Sequence, residues 1–155
     1  MMMLLVSIAI CEAAGIIGSF FTVSSVNTWY KTLVKPDFTP PAWIFAPMWT
    51  TLYLMMGVSL FLVWRKGVKS AGVKDALYLF AFQLALTVAW PYGFFGLKCP
   101  ISGLFIIVIL WAAILMTILK FARISRPAAF LLIPYILWVS FATVLNGAVF
   151  FMNIN

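Results

Sequence analysis

The sequence predicts an all-α integral membrane protein, a five-transmembrane-helix bundle. Of its 155 residues 66% are hydrophobic and only 8% charged, where an ordinary soluble domain carries about 25% charged residues. Mean hydropathy is +1.16, and a chain this short cannot hide so much apolar surface inside one soluble core. The apolar residues also fall into five runs, at 3–24, 43–64, 76–96, 101–119 and 128–151. Each is near the ~20 residues needed to cross ~30 Å of hydrocarbon. These spans and their loops use up residues 1–155 as a single domain.

The first run lacks a basic leader and carries Glu12, so it reads as a span and not as a signal peptide. Glu12 lies ~14 Å from the start of that run at 1.5 Å per residue, where a charge costs at least about 2.5–3.5 kcal/mol. No Lys or Arg lies within a span to pair with it. The expectation is a neutral, hydrogen-bonded carboxyl or one facing a wet cavity, with proton coupling as the alternative. Cys11, Gly15, Gly18 and Ser19 form a strip suited to packing within the chain. Loop 25–42 contains Pro36, Pro40 and Pro41, which fix φ and prevent a regular helix. It is a stiff, aromatic-bearing cap, either a lid or a rigid connector.

In the second run Ala46, Trp49, Tyr53 and Met56 share an arc of about 80° at 100° per residue. The third has two faces. Gln83, Thr87, Trp90 and Phe94 form one row, and Ala81, Ala85, Ala89 and Gly93 form a small-residue row about 200° away. Such a row permits close helix contact and predicts a homodimer interface, with packing inside the bundle as the alternative. The fourth run is read from its apolar length alone. In the fifth, Tyr135, Trp138, Ala142, Leu145 and Asn146 occupy about 100°.

The net charge of +7 is a matter of topology, because every Lys and Arg lies between apolar runs. Seven basic residues (Arg65, Lys66, Lys69, Lys74, Lys120, Arg123 and Arg126) share the face of the N-terminus, and three (Lys31, Lys35 and Lys98) share the other. The excess of Lys and Arg marks the inner face, so the expectation is N-terminus inside, C-terminus outside and the Pro-rich loop outside. No nucleic-acid partner is expected. With no His, two Cys and three acids, the chain has no metal-ligand set, no Ser-His-Asp or Cys-His arrangement and no phosphate loop. It therefore shows no conventional catalytic constellation. Cys11 lies deep in a span and Cys99 in a loop, so no disulfide is expected.

Trp49, Trp90 and Leu145 lie about six residues from the outer boundary, ~9 Å deep. Three helices thus offer aromatic or apolar surface at one depth beneath the Pro-rich loop, as a small-molecule pocket would. An interface belt is the alternative. It suits Trp29, Tyr30, Trp43 and Trp64, but Trp138 is too deep for it.

Four stretches carry a family resemblance: Trp29-Tyr30, KPDFTPPAWIFAPMWTTLYLMMG (35–57), QLALTVAWPYGFFG (83–96) and LLIPYILWVSFATVLN (131–146). In order and spacing the chain resembles the translocator protein family, also called tryptophan-rich sensory protein or TspO/MBR. The resemblance implies a five-helix bundle, commonly a dimer, with a ligand pocket under the first loop. It also implies ligands among porphyrins and other haem-pathway intermediates, sterols and synthetic isoquinolines or benzodiazepines. Carried over by position, the pocket includes Ser19, Thr22, Ala46, Met48, Trp49, Trp138, Ala142 and Leu145. Trp49 and Trp138 match the two tryptophans proposed to mediate light- and oxygen-dependent porphyrin breakdown. Gly15 and Gly18 match a glycine pair. Thr87 stands where the family usually has Asn, Ile106 where an acid is common and Ser102 where a Trp often closes the pocket. The C-terminal GAVFFMNIN lacks the Tyr and basic residue of the animal sterol element. Val26, Tyr30 and Lys35 fit that pattern loosely.

The expected function is therefore a membrane receptor or translocator for porphyrins and related hydrophobic ligands, with no cofactor required. Its candidate site comprises Ser19, Thr22, Ala46, Met48, Trp49, Tyr53, Trp90, Phe94, Tyr135, Trp138, Ala142, Leu145 and Asn146. Lys31 and Lys35 stand at the rim, where they could meet propionates. The alternatives are a photo-oxidative porphyrin-degrading activity carried by Trp49 and Trp138, and a structural or regulatory partner in the membrane. Expected partners are tetrapyrroles or other hydrophobic small molecules, membrane lipid and a second copy of the chain.

Overall fold

The structure, a computed structural model, describes residues 1–154. Among these the helices are α1 (Met2–Val26), α2 (Trp29–Thr32), α3 (Ala42–Trp64), α4 (Val73–Pro91), α5 (Pro100–Ile124), α6 (Arg126–Leu131) and α7 (Ile133–Met152). Tyr92–Gly96 continues α4 as a wider turn. Five segments are long and apolar enough to cross a membrane: Met2–Val26, Ala42–Trp64, Val73–Gly96, Pro100–Ile124 and Arg126–Met152. The protein is an all-helical integral membrane protein, and all five expected spans are present.

The largest boundary difference is at the fourth span, expected to end at 119. Its helix runs on to Ile124, past Lys120 and Arg123. Lys and Arg are good helix formers, and their long stems carry the charge outward while the backbone stays helical. Prolines explain the irregularities elsewhere. Pro91 has no N–H for the helix ladder, and beyond it the bonds lengthen in register: Leu97 N–H reaches Tyr92 O at 2.8 Å and Cys99 N–H reaches Phe94 O at 3.2 Å. Pro134, at the start of α7, divides the fifth span into α6 and α7 for the same reason.

The helices close into a ring. α1 packs between α3 and α4, α4 packs on α5, α5 on α7, and α6 returns to α3. Ser59 Oγ donates to Ala128 O at 2.7 Å and ties α3 to α6. The outward faces of the ring are apolar, with Phe20, Phe105 and Leu137 exposed, as a lipid solvent requires. The small-residue strip of α1 is used within the chain. A Cβ on Gly15 would lie 2.6 Å from the Tyr53 ring, and one on Gly57 would lie 2.6 Å from Ile8 Cα.

After the single turn of α2 the first loop is free of helix through its prolines. Three anchors hold it. Ser25 Oγ donates to Phe95 O at 2.8 Å. Asn153, at the end of α7, accepts from Val34 N–H at 3.0 Å and donates to Val34 O at 2.8 Å. Lys35 folds back on the loop, its Nζ donating to Tyr30 O at 2.9 Å and Leu33 O at 3.0 Å. The loop therefore bridges the first two spans and the far end of the fifth.

Candidate ligand-binding site

Beneath that loop, rings from three spans converge on Trp49. Its ring centroid lies 5.7 Å from Tyr53, 6.3 Å from Trp90 and 6.5 Å from Tyr135. The convergence follows from α3, α4 and α7 each turning a polar or aromatic row toward the centre of the ring. Trp90 stacks in turn on Phe94 at 5.8 Å. Trp29 and Tyr30 then cover Phe94 from above, at 5.7 and 6.2 Å. Partial burial against Phe94 and Phe95 pushes the Tyr30 phenol above its ordinary pKa.

The polar groups form two sets. Higher in the site, Trp90 Nε1 donates to Asn146 Oδ1 at 3.0 Å, and Asn146 Nδ2 donates to Pro100 O at 2.9 Å. Lower down, Tyr135 Oη donates to Gln83 Oε1 at 2.8 Å and also pairs with Thr87 Oγ1. Thr87 Oγ1 also lies 2.9 Å from Gln83 O, so its one proton is shared between that carbonyl and the Tyr135 hydroxyl. Gln83, Thr87 and Tyr135 are each at most 1% exposed. Among the described residues two buried donors have no partner, Gln83 Nε2 and Trp138 Nε1. Such atoms are uncommon in folded proteins and mark places where a further acceptor would be favourable.

Six of the thirteen expected site residues come together: Trp49, Tyr53, Trp90, Phe94, Tyr135 and Asn146 are linked by ring contacts or hydrogen bonds. Ala142 and Leu145 are buried on α7, and Met48 and Thr22 are half-buried on α3 and α1. Trp138 stands in a neighbouring aromatic group with Phe45 at 5.9 Å and Phe141 at 5.6 Å. Ser19 and Ala46 make none of these contacts. Both are exposed, and Ser19 Oγ is satisfied by Ile16 O of its own helix at 2.7 Å. Lys35 is held by loop carbonyls, whereas Lys31 is exposed. Sequence reasoning missed Phe45 and Phe141 because neither lies on the aromatic arcs. The small-residue row is also divided. Ala81 and Ala85 are exposed and Ala89 half-buried, but Gly93 is buried, and a Cβ there would meet Ile106 Cδ1 of α5 at 2.6 Å.

Glu12 is half-buried on α1, next to the fully buried Cys11. Both cysteines are free. Ser102 Oγ donates to Cys99 Sγ at 3.2 Å and holds that thiol below its ordinary pKa.

The arrangement pairs stacked indoles and phenols with a few buried donors, chemistry suited to a flat apolar ligand bearing acceptors. Comparison with known proteins shows the family to which the chain belongs. Residues 7–152 match the TspO/MBR family. The chain is 47% identical over 146 residues to the tryptophan-rich protein TspO of Chlorobaculum tepidum, covering 94% of this chain and 92% of that one. It is 42% identical over 151 residues to the Archaeoglobus fulgidus protein of that name, covering 97% and 96%. It is 37% identical over 134 residues to the translocator protein of Homo sapiens, covering 86% and 79%. On a match along nearly its whole length, the chain belongs to the TspO/MBR family.

Proposed function

We propose that this membrane protein binds porphyrins, or planar hydrophobic ligands of similar shape, between the Trp49 cluster and the loop clamped by Asn153. The observation that carries the reading is the convergence of Trp49, Trp90 and Tyr135 from three separate spans beneath that loop. An aromatic wall from one helix serves packing. Walls from three helices at one depth also suit a flat guest entering between them. In the structure these rings lie on one another, so entry of a ligand parts the Trp49–Trp90 contact and draws on the loop above it.

The unpartnered indole N–H of Trp138 favours a second reading, in which Trp49 and Trp138 take part in light- and oxygen-dependent porphyrin breakdown. For assembly, the exposed Ala81 and Ala85 with the half-buried Ala89 support a homodimer through the outer face of α4. For orientation, the seven-to-three division of basic residues supports an inner N-terminus.

One set of variants separates the two functional readings. Trp49→Phe and Trp138→Phe retain most of the apolar wall, and protoporphyrin quenching of tryptophan fluorescence should give Kd within about tenfold of the parent, ~1.4 kcal/mol. The Ala variants should weaken binding by ~2 kcal/mol or more. Under light and oxygen, breakdown falls sharply in the Phe variants if the indoles supply electrons, and is slow in every version if they only pack. Unchanged affinity in both Ala variants would remove this site as the place of binding.

A further inference from the structure

At the opposite end of the bundle, where α3 ends and α4 begins, the surface holds a cleft of about 490 Å³ lined by Val68, Lys69, Lys74, Leu77 and Tyr78. It is far from the aromatic site and serves none of the contacts described there. Its composition is divided. Lys69 and Lys74 carry charge at the rim, and Val68, Leu77 and Tyr78 supply an apolar wall. Tyr78 and Val68 are 65% and 51% exposed, so this wall is not part of the protein core. Lys74 Nζ lies 5.8 Å from the centre of the Tyr78 ring, and the ring thus bridges the charged and apolar parts.

The charge balance of this face sets what the cleft can attract. It carries seven Lys and Arg side chains besides the N-terminus, and of the three acids in the chain Glu12 lies within α1 and Asp37 in the first loop. Only Asp75 belongs to this face, in the first turn of α4. An ion drawn to the cleft must therefore be an anion from outside the chain. The apolar wall continues from α4 into the zone occupied by hydrocarbon, since Tyr78 lies five residues into a membrane-crossing segment that begins at Val73. Free phosphate would satisfy the lysines and leave Val68, Leu77 and Tyr78 uncovered. A molecule with an anionic head and an attached acyl chain satisfies both parts at once.

We propose that this cleft binds the headgroup of an anionic phospholipid, its phosphate between Lys69 and Lys74 and its acyl chain along Leu77 and Tyr78. The cleft is distinct from the general attraction of a basic face for an acidic membrane. That attraction depends on total charge, whereas the cleft requires two particular lysines and an apolar wall beside them.

The test uses the full chain in detergent micelles doped with phosphatidylglycerol or phosphatidylcholine, with retained lipid counted by native mass spectrometry. The parent should retain one phosphatidylglycerol in preference to phosphatidylcholine. Lys69→Gln with Lys74→Gln should lower that affinity tenfold or more. Lys120→Gln with Arg123→Gln removes the same charge from the same face outside the cleft and should change affinity less than twofold. Tyr78→Ala should weaken phosphatidylglycerol binding while leaving the affinity for inorganic phosphate itself unchanged. Equal loss in the two double variants would overturn the proposal in favour of diffuse face charge. Absence of any preference for phosphatidylglycerol, or its complete displacement by millimolar inorganic phosphate, would overturn it as well. Helix content by circular dichroism, measured on each variant, keeps loss of fold apart from loss of the site.

Discussion

Replacing Tyr135 by Phe tests how the buried polar set beneath Trp49 holds two spans together. Tyr135 is 0% exposed, and its hydroxyl donates to Gln83 Oε1 at 2.8 Å while pairing with Thr87. The Phe ring keeps the edge contact with Trp49 at 6.5 Å, so apolar packing survives and only the hydroxyl is lost. Gln83 then loses its one side-chain bond, because its Nε2 already has no partner. An orphaned buried polar group costs about 1–3 kcal/mol in proteins generally. Hydrogen bonds between membrane helices average ~0.6 kcal/mol and reach ~1.7, because the dissociated helices find other partners. These bounds place Tyr135→Phe at about 1–2 kcal/mol of destabilisation. Gln83→Leu behaves differently. It removes the orphaned Nε2 together with Oε1 and leaves Tyr135 its bond to Thr87, so its cost is within about 0.5 kcal/mol of zero by the same reasoning. The double variant should cost about 1 kcal/mol less than Tyr135→Phe alone, because no Gln83 amide is left orphaned, which is a coupling near 1 kcal/mol. Equilibrium unfolding in mixed micelles, followed by tryptophan fluorescence, supplies the three free energies. If Gln83→Leu proves more damaging than Tyr135→Phe, or if the two effects simply add, the reasoning fails.

Gly57→Ala should destabilise by about 1–3 kcal/mol, the usual range for overpacking, because its Cβ would press on the Ile8 backbone at 2.6 Å; Gly147→Ala, with Leu104 Cδ1 at 3.9 Å, should be near neutral. Thermal unfolding of the two variants side by side checks the contrast. A membrane-impermeant maleimide should label Cys99 and spare Cys11, which is 0% exposed. Labelling from outside sealed vesicles would agree with an inner N-terminus, and labelling only after permeabilisation would refute it. The Ser102 bond lowers the Cys99 pKa, which raises its thiolate fraction at neutral pH. Ser102→Ala should therefore slow labelling several-fold at pH 7.5, with the two rates converging well above the ordinary thiol pKa. Ala85→Leu should shift a dimer toward monomer in mild detergent with no loss of helix; an unchanged mass would place the interface elsewhere.

Hydropathy and local backbone chemistry were legible along the chain. A run of about 20 apolar residues has no stable alternative to crossing the bilayer as a helix, since its backbone groups have no water to bond. The helix-free stretch around Pro36, Pro40 and Pro41 follows from one residue's covalent geometry. The aromatic arcs on α3, α4 and α7 were legible too, because angle and depth along a helix depend only on residue count. Pairing of faces depends on every neighbour at once, and there the tertiary structure decided. Gly93 continues the Ala81 row by count, yet α5 approaches closely enough to put Ile106 against it. Trp138 shares an arc with Tyr135, yet Phe45 and Phe141 draw its ring into a separate group. Lys35 stands by sequence at an open rim, yet two carbonyls of its own loop satisfy its ammonium. Asn153 carries no signal in the sequence because the Val34 peptide it clamps lies 119 residues away. Residue count sets where a side chain points on its own helix, and only the packing of the other helices sets what it meets there.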